Sequence, residues 1–301
     1  LGSLYFGLGF NLTPVRIGGL RVEQIIVVED LYFKYPDGTW ALRGLSFSIA
    51  RGRKVALMGH NGAGKSTLLW HLNGLFLPQQ GKVQVEGRVI SSSTEKWVRT
   101  RVGLVFQDPD DQVFSTTVKE DVAFGPRNLG LPPAEVEKRV QTALAAVGML
   151  EYQDRPPQSL SYGQKKRVAI AGVLAMEPEI ILLDEPLAFL DPAAQANLYL
   201  LLEELHRQGK TLLVATHDVD FAASWAEQVL ILKEGKLLAQ GEPELLLKED
   251  IVKEAALRLP IVAQIFQGLL PEGTPLPRDV AGARKLLSSL ISGRKVELFS
   301  H

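Results

Sequence analysis

Hydrophobic residues along this chain form short unbroken runs, separated by longer stretches in which they recur every third or fourth position. The unbroken runs are Lys54–Met58, Val102–Phe106, Ile180–Asp184, Thr211–Ala215 and Val229–Leu232. Uniformly apolar runs of this kind suit strands buried on both faces, as in a parallel sheet. A second texture appears earlier. Ile25–Phe33 and Leu42–Ile49 read as strands joined across Pro36-Asp-Gly38, and Leu45, Phe47 and Ile49 alternate with Ser46 and Ser48. Such alternation marks a half-buried strand. Lys82 to Ile90 predicts a further strand pair around Gly87, and Glu234-Gly235 predicts a hairpin turn between Val229–Leu232 and Lys236–Ala239.

Helical periodicity predicts a helix over Ser66 to Asn73, with Leu68, Leu69 and Leu72 on one side. Helices are also expected near Val118–Phe124, over Ala134–Val147 after Pro132-Pro133, and over Gln164–Met176. Asp191-Pro192 reads as an N-cap followed by proline in the first turn, opening a helix that runs through Leu198 to Leu205. Strands alternating with helices imply an α/β fold with a parallel-rich sheet. From Asp108 to about Leu160 the chain reads as a mostly helical insertion in that core.

The two ends differ from the middle. Leu1 to Gln24 lacks a clear period, an initiator Met and the basic start of a signal peptide, so residues 1–24 are expected to form an extension outside the folded part. Three apolar stripes follow Leu247. Ile251, Val252, Ala255, Ala256 and Leu259 make the first; Ile261, Val262, Ile265, Phe266, Leu269 and Leu270 the second; Val280, Ala283, Leu286, Leu287 and Leu290 the third. Short amphipathic helices must bury their stripes, either on their own chain or on a second copy. Residues 248–301 are therefore expected to form a helical dimerisation extension.

Composition narrows the function classes. With 33 Lys and Arg against 34 Asp and Glu among 301 residues, the balance gives no support to broad nucleic-acid binding. The absence of cysteine removes disulfides and thiolate metal sites. The sequence holds no uncharged apolar run of the ~18–20 residues that a membrane helix needs, so service to a membrane would run through a partner.

The chemistry centres on Gly59, His60, Asn61, Gly62, Ala63, Gly64, Lys65, Ser66 and Thr67, which fit the phosphate-loop pattern G-x-x-x-x-G-K-[ST] between a strand and a helix. The glycines allow a tight turn that aims N–H groups at a triphosphate, and the helix start adds its dipole. Lys65 would reach the β/γ-phosphates, and the Ser66 hydroxyl would hold Mg²⁺. Ile180–Glu185 is an apolar strand ending in two carboxylates. Asp184 suits a Mg²⁺ ligand and Glu185 suits the group that orients attacking water. Ser161 and Gly163, at the start of the helix carrying Lys165, Lys166 and Arg167, offer a second anion site. A capped helix with solvated basic residues is the competing reading of that stretch.

Taken in order, these motifs resemble the ATP-binding subunit of an ABC transporter over about Ile25 to Gly241. Gly59–Thr67 resembles its Walker A, Gln107 its Q-loop, Leu160-Ser-Tyr-Gly-Gln164 its signature, Ile180–Glu185 its Walker B, Leu190-Asp191 its D-loop and His217 its switch histidine. Tyr35 falls where the family stacks adenine. The resemblance implies a P-loop NTPase (RecA-like) core with an antiparallel β subdomain, a helical subdomain at about 108–160 and a nucleotide-binding domain spanning 25–247. It implies ATP and Mg²⁺ as cofactors, with Ser66, Gln107 and Asp184 toward the metal. It also implies a head-to-tail pair in which Ser161, Gly163, Gln164 and Asp191 act on the nucleotide of the second copy. Two positions depart from the family pattern: Tyr162 stands where many members have glycine, and Phe189 where a small or polar residue is usual.

A narrower resemblance lies in Val102-Gly-Leu-Val-Phe-Gln-Asp-Pro-Asp-Asp-Gln112, Glu120-Asp-Val-Ala-Phe-Gly-Pro126 and Ser161-Tyr-Gly-Gln-Lys-Lys-Arg167. These stretches are similar to the ATPases of energy-coupling-factor importers, especially the cobalt or nickel members. That resemblance implies a place on the cytoplasmic face of the cell membrane. The partners would be a transmembrane coupling protein and a small membrane substrate-binding protein, with no nucleic acid involved. A vitamin importer or a conventional importer with an extracytoplasmic binding protein is the nearer alternative. A soluble ABC protein acting on ribosomes or DNA is the remote one, because the chain has one set of motifs, no long heptad run and no basic tail.

Overall fold

The computed structural model describes residues 16–17, 20–21, 23–270 and 274–293. A short antiparallel pair, β1 (Arg16–Ile17) with β2 (Leu20–Arg21), precedes the main body. The rest of the expected 1–24 extension lies for the most part outside the described residues. β3 (Gln24–Lys34) and β4 (Trp40–Ala50) pair across the anticipated turn. β5 (Lys54–Met58) leads into α1 (Lys65–Leu72), and β6 (Gln80–Val85) and β7 (Arg88–Val89) form the pair around Gly87. α2 (Glu95–Arg101) and β8 (Val102–Val105) follow, then α3 (Val118–Asn128), α4 (Pro133–Ala146) and α5 (Tyr162–Leu174). β9 (Ile180–Asp184), α6 (Pro192–Arg207), β10 (Thr211–Thr216), α7 (Val219–Trp225), β11 (Gln228–Lys233) and β12 (Lys236–Gly241) complete the core.

The unbroken apolar runs all enter one six-stranded sheet of order β12-β11-β5-β10-β9-β8. Its strands are parallel except β12, which folds back on β11 through Glu234 (φ 48°) and Gly235 (φ 76°), both in the left-handed region that such a hairpin requires. The alternating strands form a separate antiparallel sheet, β4-β3-β6-β7. Period-two geometry gives the main sheet two apolar faces. Ala56, Met58, Ile181, Leu183, Leu212 and Val214 face a core shared with α3, α4, α5, α6 and α7. Val55, Leu57, Ile180, Leu182 and Leu213 share the other core with α1 and with Leu31, Leu45, Phe47 and Ile49 of the antiparallel sheet. The phosphate loop is therefore fixed between two packed layers.

Several boundaries move. α5 starts at Tyr162, ahead of the expected Gln164, because Ser161 and Gln164 form a reciprocal capping box that begins the helix at the residue after the serine. α3 runs past the expected Phe124 and carries Pro126 within it. α2 and α7 have no sequence counterpart; helices this short show too few turns for a period to emerge.

After a 3-10 turn at Pro243–Leu247 come α8 (Glu249–Glu254), α9 (Ile261–Phe266) and α10 (Val280–Gly293). Their stripes split. Val252, Leu259 and Ala263 cluster with Leu247, Leu257 and Leu276, while Ala255 joins the main core. Asp220 of α7 accepts hydrogen bonds from the Arg258 guanidinium and, at 2.7 Å, from the Ile261 N–H, tying this region to its own chain. Ile261, Ile265, Leu269, Val280, Leu287, Leu290 and Ile291 remain exposed on the outer side. Residues 271–273 and 294–301 of the expected extension lie outside the described residues.

Candidate functional site

The phosphate loop leaves the end of β5 through three glycines with positive φ: Gly59 at 151°, Gly62 at 82° and Gly64 at 103°. A Cβ on Gly59 would sit 2.5 Å from the Leu232 carbonyl oxygen, and one on Gly64 would sit 2.6 Å from that of Ala41. The loop backbone is thus pressed against β11 and β4, where only glycine fits. No side chain caps α1, so the N–H groups at its start have no side-chain acceptor. Together with the helix dipole they make an anion site, and the cradle fits a triphosphate. Ala63 is buried and its carbonyl accepts from Gly235 N–H at 3.1 Å, while Asn61 and Gly62 are exposed at the crest. His60 Nδ1 lies 2.6 Å from the Asn61 carbonyl. Lys65 Nζ donates to the Gly59 carbonyl at 2.7 Å and to that of His60 at 3.3 Å, so its ammonium lies within the loop.

Parallel pairing brings the second motif alongside. β10 lies between β5 and β9, with Thr216 level with Met58 and Ala215 level with Asp184. Asp184 and Glu185 are both buried beside Lys65. Burial raises the Asp184 carboxyl above its ordinary range, the Ser66 hydroxyl bonded to it acts the other way, and the Glu185 charge adds to the rise. Burial likewise pulls the Lys65 ammonium down, opposed by Glu185 and Asp184. Glu185 Oε1 lies 3.9 Å from Lys65 Nζ and 3.0 Å from His217 Nδ1. A carboxylate oxygen only accepts, so Nδ1 of His217 is the donor. Lys65, Ser66, Asp184, Glu185 and His217 thus converge at one end of the sheet. An ammonium, a hydroxyl and two buried carboxylates at a phosphate cradle can bind a nucleoside triphosphate and activate water against it.

The remaining predicted residues divide. Tyr35 Oη lies 2.8 Å from Thr67 Oγ1, which sets the Tyr35 ring at the start of α1, edge-on to Phe33 with centroids 5.1 Å apart. Gln107 follows β8, and its carbonyl accepts from Tyr162 Oη at 3.1 Å and Lys166 Nζ at 3.2 Å. Ser161 accepts from the Gln164 N–H at 3.3 Å, and the Gln164 side chain accepts from Ser161 N–H at 2.9 Å. A Cβ on Gly163 would lie 3.2 Å from Leu190 Cδ2. Asp191 Oδ1 accepts from Ala194 N–H at 2.8 Å as the cap of α6. Among the described residues, no hydrogen bond or ion pair joins Ser161, Gly163, Gln164 or Asp191 to the phosphate loop.

The two departures from the family pattern touch each other. The Tyr162 and Phe189 rings meet edge-to-face at 5.3 Å, linking the signature helix to the D-loop. Phe189 is 77% exposed and has φ 62°, in the left-handed region. The reading of Lys165, Lys166 and Arg167 as solvated basic residues is corrected at its centre. Lys165 pairs with Asp110 at 2.6 Å and Arg167 donates to the Val147 carbonyl at 3.3 Å, but Lys166 is 0% exposed. Burial lowers its ammonium to about 8, against the pull of Asp184, Glu185 and Asp108. The signal was helical phase: Lys166 stands on the stripe of Tyr162, Ala169, Ile170 and Val173, the last three of which are buried.

A family profile described as ABC transporter matches residues 42–188. The energy-coupling factor transporter ATP-binding protein EcfA of Carboxydothermus hydrogenoformans is 47% identical over 267 residues, covering 88% of this chain and 98% of that protein. The solved structure of cbiO1 from Clostridium perfringens, described as part of the ABC transporter complex cbiONQ, is 40% identical with a TM-score of 0.69, covering 82% of this chain and 96% of that one. A dimeric ATP-binding cassette in a post-hydrolysis state, bound to ADP and Pi, is 29% identical with a TM-score of 0.67, covering 72% of this chain and 98% of that one. The site and the extent of these likenesses agree: the chain belongs to the ATP-binding proteins of ABC transporters, in the energy-coupling-factor group.

Proposed function

We propose that this ATPase drives an energy-coupling-factor importer whose cargo is cobalt or nickel ions. The observation that carries the catalytic part is the convergence of Lys65, Ser66, Asp184, Glu185 and His217. In this reading Lys65 and the first-turn N–H groups of α1 bind the phosphates, and Tyr35 stacks on adenine. Ser66, Gln107 and Asp184 would hold Mg²⁺, which supplies charge neutralisation on the phosphates. A buried carboxylate already bonded to a hydroxyl is an oxygen-donor set suited to that hard cation. Glu185 polarises the attacking water and His217 fixes the carboxylate through Oε1. Ser161, Gly163, Gln164 and Asp191, remote from their own chain's phosphate loop in the bonding pattern, complete the nucleotide site of a second copy.

The cargo reading rests on the likeness of Val102–Gln112 and Glu120–Pro126 to cobalt and nickel members of the group. Among the described residues no helix is long and apolar enough to cross a membrane. In this proposal the chain sits at the cytoplasmic face through a transmembrane coupling protein and a membrane substrate-binding protein. Vesicles carrying the chain with its membrane partners should take up Co²⁺ or Ni²⁺ only with ATP on the chain's side. ATP-driven uptake of a vitamin and of neither ion would overturn the cargo.

The segment Asp108–Phe124 is the proposed docking site for the coupling protein. A groove of about 830 Å³ runs between the sheet and the helical layer, lined by Phe106, Gln112, Phe114, Phe124, Leu129 and Met176 among others. Phe114 and Phe124 pack edge-to-face at 5.0 Å and are 62% and 48% exposed. Val113, next to Phe114 in the sequence, is only 8% exposed and belongs to the core. Phe114→Asp should therefore abolish ion uptake in vesicles while ATPase activity of the isolated chain stays within about twofold of the parent. Parental uptake removes the groove from the proposal.

The exposed outer stripe of α9 and α10 is the proposed contact with a second copy. Mutual burial would hold two chains together and keep opposed ATP sites close while the main domains open and shut. Nucleotide-free full-length protein should sediment as a dimer and a version ending at Lys248 as a monomer. A full-length monomer, or a dimer unaffected by truncation, defeats the idea.

A further inference from the structure

Lys166 is fully buried in α5, and its ammonium bridges two backbone carbonyls from separate segments. Nζ donates to the Glu185 carbonyl at 2.6 Å and to the Gln107 carbonyl at 3.2 Å. Glu185 has φ 44°, a left-handed conformation in which a residue with a Cβ is strained. That backbone is held from both sides: its N–H donates to the Ala215 carbonyl at 2.9 Å, and its carbonyl receives Lys166. The direction of the Glu185 side chain follows from this backbone, since φ and ψ set where Cβ points. Gln107 is held at the same time by Lys166 and by Tyr162 Oη at 3.1 Å, and the docking groove begins directly beyond it.

We infer that Lys166 is a positioning residue for ATP hydrolysis, whose ammonium ties the Q-loop backbone at Gln107 to the backbone of Glu185 so that the two shift together. This rests on the reading of Glu185 as the water-polarising group. A displacement of Gln107 by a docked membrane helix reaches the catalytic carboxylate through one side chain. The Glu185 carbonyl is a buried acceptor that needs a donor, the Gln107 carbonyl accepts from Tyr162 as well, and Lys166 is the side chain that reaches both. Lys166 acts on alignment, and nucleotide binding, which rests on Lys65 and α1 in the proposed function, is unaffected.

The test uses the full-length chain with its membrane partners. Lys166→Met keeps the unbranched stem and removes the donors. It should lower kcat roughly 100-fold, the order expected when a catalytic group is misplaced by about an ångström, with KM for ATP within about twofold of the parent. In the Glu185→Gln background the same change should cost no more than about twofold further, because its effect acts through Glu185. Lys166→Gln, which keeps one N–H donor group, should fall between parent and Lys166→Met. It decides alone if Lys166→Met does not fold, requiring at least a tenfold loss of kcat at unchanged KM. Parental kcat, losses that multiply in the double variant, or a KM that rises in step with a fall in melting temperature overturns the inference. Near-parental hydrolysis by Glu185→Gln alone strikes instead at the reading of Glu185.

Discussion

Replacing Glu185 by Gln is expected to leave ATP binding within about threefold of the parent and to reduce turnover by roughly 10²- to 10⁴-fold, the range for loss of a general base. On the barrier this is about 3 to 5 kcal/mol. The amide has the shape of the carboxylate, and its oxygen can still accept from His217 Nδ1, now 3.0 Å from Glu185 Oε1. What it lacks is a basic oxygen for the proton of attacking water. In the proposed site, phosphate binding rests on Lys65, Ser66 and the uncapped first turn of α1, none of which changes. ATP should bind without being consumed, so the nucleotide-bound pair of chains accumulates. Single-turnover hydrolysis and sedimentation with ATP measure the two effects. Hydrolysis within about threefold of the parent would falsify the assignment.

Gly64→Ala should severely damage nucleotide binding. At φ 103° an L-residue is strained, and the new Cβ would lie 2.6 Å from the Ala41 carbonyl oxygen and 3.1 Å from Leu42 Cδ2. The first of these is strand backbone, which cannot swing aside like a side-chain tip. Either the loop or β4 must move, at a cost of about 2 to 4 kcal/mol in stability. Moving the loop also moves the N-terminal turn of α1, and ATP affinity should fall by about 100-fold or more. Gly62→Ala is the comparison: its φ is 82°, but a Cβ there meets no atom within 4 Å. It should carry backbone strain without the clash and lose about tenfold or less in affinity. Thermal unfolding and nucleotide titration of the two variants provide the check. Equal behaviour of both, or a parental melting temperature for Gly64→Ala, contradicts the geometry.

Much of this architecture is local and therefore readable in one dimension. The buried strands are unbroken apolar runs because both faces of the main sheet are covered, so no alternation is left. β4 alternates because it lies in the other sheet, where Leu45, Phe47 and Ile49 enter a core and Ser46 and Ser48 do not. The caps at Ser161 and Asp191 act within three residues, and the Glu234-Gly235 turn is decided by its own two φ angles. The phosphate loop is local in the same sense: glycine spacing, a strand before and a helix after fix its chemistry. These features were legible because the interactions that create them span one turn of chain.

Tertiary structure alone decided the rest. The burial of Lys166 depends on carbonyls 59 and 19 residues away, brought to one ammonium by packing of α5 beside the ends of β8 and β9. The Tyr162–Phe189 ring contact joins two substitutions that look independent along the chain. Val113 and Phe114 are neighbours of like hydropathy, yet one enters the core and the other faces the groove. The stripes of α8 to α10 are periodic in sequence, but which side meets α7 was set by Asp220, whose carboxylate holds Arg258 and the Ile261 N–H. A hydrophobic pattern states that a face must be covered; which surface covers it, and which polar group is carried inside with it, depends on contacts between segments whose separation along the chain carries no such information.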